Sequence, residues 1–202
     1  MKKSTAKKLP KQRFPKPITE QYLYNSALAY LSRFAASTEH LKQVMIRKID
    51  RSCLHHKDQD KEECLRLLSN TIKKLEDLSL LDDKNYAKGM MNSLLSRGQS
   101  LHAIRQRLKN KGLTQDIIAL VVEEYTENSD QNIDLKSALT FLKRKKMGPF
   151  GHSNDTKNTP PECNNKKSNK ILGALARAGF SYNLSRDALS MSPEEALDIL
   201  EN

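Results

Sequence analysis

The sequence predicts an all-α protein, an elongated tandem array of three three-helix repeats. Three observations carry that reading. Apolar residues recur at helical spacing along most of the chain. At 37% apolar and 5% aromatic residues, with no Trp, there is too little material for the single deep core of a sandwich or barrel. One spacing also returns in each third of the chain: Leu41, Met45 and Ile49, then Ile104, Leu108 and Gly112, then Ile171, Leu175 and Gly179. A period near 65 residues with three helices per unit is the mark of stacked modules.

Residues 1–17 carry seven Lys and Arg, no acid, and Pro10, Pro15 and Pro17. Such a segment buries too little to offset its ordering entropy, so it reads as a disordered basic arm. The first repeat spans 18–80. Tyr22, Ala29, Tyr30 and Phe34 mark the apolar face of its first helix. Ser37 caps a second helix with Leu41, Met45 and Ile49, and Leu65, Leu68, Ile72 and Leu75 stripe a third.

The second repeat spans 81–131. Asp82-Asp83 cap a helix with Tyr86, Met90, Leu94 and Leu95 inward, which stops at Arg97-Gly98, where glycine suits the left-handed cap. Ser100 opens the next, with Ile104 and Leu108 inward, ending at Lys111-Gly112. Thr114 caps the third, which buries Ile118, Val121, Val122 and Tyr125.

The third repeat, 132–190, begins with Leu135, Ala138, Leu139 and Leu142. Pro, Gly, Asn and Lys then make 148–169 a long polar loop before Ile171 and Leu175 resume the pattern. Ser192-Pro193-Glu194-Glu195 is a capping box opening a short C-terminal helix over 191–202.

Charge bounds the function. Lys plus Arg number 35 against 24 Asp plus Glu, a net charge of +11, which attracts polyanions. The densest cluster within a helix is Arg105, Arg107, Lys109 and Lys111, with Arg97 before it and no acid between. Arg105 and Lys109 stand four apart, as do Arg107 and Lys111, flanking the inward Ile104 and Leu108. The following helix carries Asp116, Glu123, Glu124, Glu127 and Asp130, so mutual neutralisation is the plain alternative to a docking surface. A second run, Lys143, Arg144, Lys145 and Lys146, suits phosphate contact without sequence preference or a solvated helix face.

No nucleophile elbow, P-loop or H-E-x-x-H is present, and the expectation is no enzyme activity and no cofactor. Cys53, His55, His56 and Cys64 match no zinc spacing and read as a polar turn. Three cysteines at irregular spacing fit a reducing compartment, and no run reaches the roughly 18 apolar residues of a membrane helix. A basic N-terminus without an apolar stretch behind it is not a secretory signal, so the expected location is cytoplasmic.

The run Leu80-Leu81-Asp82-Asp83-Lys84-Asn85-Tyr86-Ala87, then Arg97-Gly98, Ile104-Arg105-Gln106-Arg107-Leu108 and Lys111-Gly112-Leu113, resembles the central signature of the RecX family, bacterial regulators of the RecA recombinase. The resemblance covers about residues 20 to 190. Two places depart from the family pattern: a longer segment between Gly148 and Asn169, and Val44-Met45 where a basic residue then Leu is common. The resemblance implies a monomeric, non-catalytic protein that binds RecA and the groove of RecA–DNA filaments. It would mainly inhibit recombinase, ATPase and coprotease activity, with weak electrostatic contact to single-stranded DNA. Arg97, Arg105, Arg107, Lys109, Lys111 and Lys143 to Lys146 are the candidate interface. Filament-end capping and lateral groove binding both remain open. The alternative function is a sequence-independent DNA-binding protein with no specific RecA target.

Overall fold

The computed structural model describes residues 14–127, 132–151 and 161–201, with the backbone alone over 161–166. Ten α-helices and no strand occur among the described residues. The chain divides into two compact units, Met1–Leu81 and Asp82–Asn202.

The first unit holds α1 (Glu20–Leu31), α2 (Thr38–His55) and α3 (Lys61–Asp77). Thr19, Ser37 and Asp60 cap them, each side chain accepting from a backbone N–H of the first turn. Leu23, Leu41, Met45, Ile49 and Leu75 are wholly buried, and each contributes about 1.5–3 kcal/mol over its exposed state. The inward face of α1 differs from the predicted one. Leu23 and Ala27 face the core, Tyr22 and Tyr30 are half-buried, and Phe34 lies past the helix end, 56% exposed. Both tyrosines have partners at the rim: the Tyr30 hydroxyl lies 3.0 Å from His40 Nε2, and Lys48 Nζ lies over the face of the Tyr22 ring.

Of the predicted basic arm, residues 1–13 lie outside the described residues. Residues 14–18 are not loose. Gln59 accepts from the Ile18 N–H at 2.9 Å and donates to the Ile18 carbonyl at 3.0 Å. Ser52 Oγ donates to the Lys16 carbonyl at 2.8 Å, His56 Nε2 to the Pro15 carbonyl at 2.9 Å, and Phe14 stacks on His55. Proline and charge exclude a helix here, yet extended backbone still docks where side chains satisfy it.

The second unit holds α4 (Asp83–Leu95), α5 (Leu101–Asn110), α6 (Gln115–Glu127), α7 (Ile133–Lys145), α8 (Pro161–Arg177), α9 (Tyr182–Ser190) and α10 (Pro193–Glu201). It has two hydrophobic cores. One gathers Ala87, Met91, Leu94, Ile104, Leu108, Leu113, Ile118, Val121 and Val122 from α4 to α6; the other gathers Ala138, Leu139, Leu142, Leu175, Phe180, Ala188 and Ala196 from α7 to α10. With the first unit's core this makes three, consistent with three repeats. Counting from the cap of each third helix, positions +4 and +8 face inward: Cys64 and Leu68 after Asp60, Ile118 and Val122 after Thr114, Ser185 and Leu189 after Ser181.

Two boundaries differ from expectation. α8 begins at Pro161, well inside the predicted 148–169 loop, because proline suits the first helical position even before a polar Asn/Lys run. Gly148–Phe150 form a short 3-10 turn whose Phe150 packs on the third core. α10 is no appendage either: Ala196 is fully buried and Ile199 and Leu200 pack beside it. Its capping box forms as expected, Ser192 N–H donating to Glu195 Oε2 and Glu195 N–H to Ser192 Oγ.

Candidate macromolecular interface

The basic stripe is set by α5. Ser100 caps this helix, accepting from Ala103 N–H at 3.2 Å, and Ile104 and Leu108 have no exposed surface. Their burial fixes the rotation of the helix and leaves Arg105, Arg107, Lys109 and Lys111 exposed. Lys111 is the C-cap, where a cation also complements the helix dipole.

One acid of α6 is committed to α4. Glu124 sits between Lys84 Nζ at 2.5 Å and Lys88 Nζ at 2.6 Å, both on α4. The two ammonium groups hold its carboxyl below the ordinary value of 4.5. Among the described residues, Arg105, Arg107 and Lys109 make no ion pair. Glu124 is thus paired with α4 rather than α5, and the stripe on α5 keeps its charge outward.

The second basic run closes α7. Lys143, Arg144 and Lys145 occupy its last turn, and Lys146 is the C-cap in the left-handed region at φ 52°. All four are exposed. The two runs meet at one point, where the Arg144 guanidinium donates to the Arg97 carbonyl. Gly98 allows this approach: at φ +68°, a Cβ there would lie 2.5 Å from Phe141 N and 2.8 Å from the Ser137 carbonyl oxygen. The last turn of α7 is thereby joined to the turn after α4, and Arg97 and Arg144 are both exposed. Asp134 adds a further link, its Oδ1 accepting from Leu101 N–H at 2.7 Å. Lys145 lies apart from this pair, beside a groove that it shares with Arg177.

Sequence spacing did not reveal the Arg144–Arg97 bond, the Asp134 link, or the Gln59 clamp on Ile18, because each joins residues 33 to 47 apart. The polar turn at His55-His56 is a docking point for residues 14–18. The Cys64 thiol is pushed up to about 11, by burial first and then by the facing Cys53, which makes it a poor metal ligand and nucleophile. Among the described residues, no three His, Cys, Asp or Glu side chains converge as a metal site, and no helix is long and apolar enough to cross a membrane.

The architecture defines an all-helical protein built from capped three-helix sets, with a cation-rich surface on its second unit. No family model matches the chain. A regulatory protein RecX from Myxococcus xanthus is 31% identical over 179 residues, covering 89% of this chain and 90% of that protein. A regulatory protein RecX from Agrobacterium fabrum is 28% identical over 125 residues, 62% of this chain and 60% of that one. The fold is shared with the crystal structure of RecX from Lactobacillus salivarius, at TM-score 0.56 and 22% identity over 90% of this chain and 96% of that chain. A second solved regulatory protein RecX gives TM-score 0.52 at 20% identity, covering 83% and 70%. The chain belongs to the RecX family of regulatory proteins.

Proposed function

We propose that this protein is a non-catalytic, cytoplasmic regulator that binds RecA and RecA–DNA filaments as a monomer, and mainly inhibits recombinase, ATPase and coprotease activity. Beside the family relationship, one observation supports this reading. The stripe Arg105, Arg107 and Lys109 is exposed and unpaired among the described residues while the neighbouring acid Glu124 is held by α4. Exposed cations on a fixed helix face attract acidic protein surfaces and phosphates alike and speed encounter with both. Arg97, Lys111 and Lys143 to Lys146 complete the proposed interface. Contact with single-stranded DNA is electrostatic and weak, since phosphate contacts carry no sequence information and weaken steeply with salt. No cofactor takes part.

The test is a titration of this protein into RecA hydrolysing ATP on single-stranded DNA, with bare-DNA binding measured at the same salt. Inhibition well below the concentration that coats the DNA is the expected result. Inhibition that tracks DNA coating would instead make the protein a sequence-independent DNA binder, the reading its net charge of +11 alone supports.

A further inference from the structure

A groove of about 450 Å³ opens on the second unit between the turn after α4, α7 and α8. Its floor is apolar, formed by Phe141, Met147 and the side chains of Ala174 and Ala178; Gln99 stands at one side, and Lys145 and Arg177 are its cations. Among the described residues, no carboxylate lines it. Neither cation makes an ion pair among the described residues. Lys145 is in the last turn of α7 and Arg177 in the last turn of α8. The guanidinium of Arg177 lies back over Gly173, 3.5 Å from where a Cβ would stand.

The walls are held before anything binds. Ser100 Oγ donates to the Ala178 carbonyl at 2.8 Å, Gly98 packs on the backbone of Phe141, and the Phe141 and Phe180 rings meet edge to face at 6.4 Å. A preformed groove loses little ordering entropy on binding.

We infer that this groove docks an acidic peptide segment of a protein partner, with an aliphatic side chain on the Phe141–Met147 floor and flanking carboxylates on Lys145 and Arg177. This rests on the reading of the protein as a binder of another protein. Charge complementarity selects an anion, and the floor selects an aliphatic anchor. A nucleobase fits less well, because it needs an open aromatic face and Phe141 is half-buried against Phe180. A second copy of this chain fits less well too: its acidic, aliphatic stretch at 194–201 is already packed in the third core. Gln99 is suited to the peptide backbone, as Gln59 shows by pairing with both the N–H and the carbonyl of Ile18.

The probe is a fluorescein-labelled peptide, Gly-Asp-Glu-Leu-Asp-Glu, titrated with the full chain and read by anisotropy. Saturable binding is expected, weakened roughly tenfold or more by Lys145→Glu, by Arg177→Glu, and by Ser for Leu in the peptide. The exposed Arg186, on α9, is the charge-matched control, and Arg186→Glu is expected to change nothing. Unaltered thermal midpoints establish folding, and Lys145→Ala and Arg177→Ala serve if either reversal unfolds the protein. No saturable binding, equal binding of the Ser peptide, or equal weakening by Arg186→Glu would overturn the inference. So would an oligothymidylate that binds and is lost with the same two substitutions while the peptide is not bound. Peptide binding without inhibition of RecA would retain the groove and refute the RecA reading, so the two failures are distinct.

Discussion

Gly179 is closed against Ser100: a Cβ on Gly179 would lie 2.6 Å from Ser100 Oγ, the hydroxyl that both caps α5 and donates to the Ala178 carbonyl. One side chain thus starts the helix that carries the basic stripe and ties it to the end of α8. The second and third helical sets are keyed together at this contact.

Gly179→Ala is therefore expected to destabilise the protein by about 1–3 kcal/mol, since φ is +88° and the space is taken. Urea unfolding measures it. In a Ser100→Ala background the same substitution should cost less, because the hydroxyl it strikes is gone, and a double-mutant cycle reads the coupling.

Gly98→Ala should cost more than Gly179→Ala, about 3 kcal/mol, because its Cβ would meet backbone atoms of Phe141 and Ser137 that cannot rotate away. The same unfolding assay ranks the two.

Gln59→Ala removes both bonds to Ile18 and leaves those backbone groups unpaired. Hydrogen exchange at the Ile18 amide should then run roughly tenfold faster than in the parent, with the first unit otherwise folded. An unchanged exchange rate would mean the segment is held by His56 and Ser52 alone.

Acid should release the bridge on α6. A carboxyl held below its ordinary value stabilises the fold above that value and loses the contribution as pH falls through 4.5 and below; Glu124 between Lys84 and Lys88 is such a group, and Glu195 in its capping box is another. The Tm difference between the parent and Glu124→Gln should be present at neutral pH and shrink as pH falls below the ordinary carboxyl value of 4.5.

Local rules made much of this fold legible. Ser37, Asp82, Ser100, Thr114 and Ser192 were readable as caps because each side chain bonds within its own first turn. The stripe on α5 was legible because Ile104 and Leu108 alone fix which face is out. The α1 face was misread because period alone does not separate Leu23 and Ala27 from the amphipathic tyrosines beside them. The Asn- and Lys-rich start of α8 reads as loop because composition there outweighs one favourable proline. Nothing local encodes the Arg144 bond to Arg97, the Gln59 clamp or the groove beside Lys145, which arise only when separate helices meet.

In the proposed function the α5 stripe engages the RecA filament. The most direct test of this claim compares inhibition of RecA's DNA-dependent ATP hydrolysis by the parent protein and by the double variant Arg105→Glu with Lys109→Glu. Both side chains are exposed, so the thermal midpoint should hold. The variant is expected to need roughly tenfold more protein, or more, for half-inhibition. Half-inhibition at the parent's concentration would contradict the claim and remove α5 from the interface.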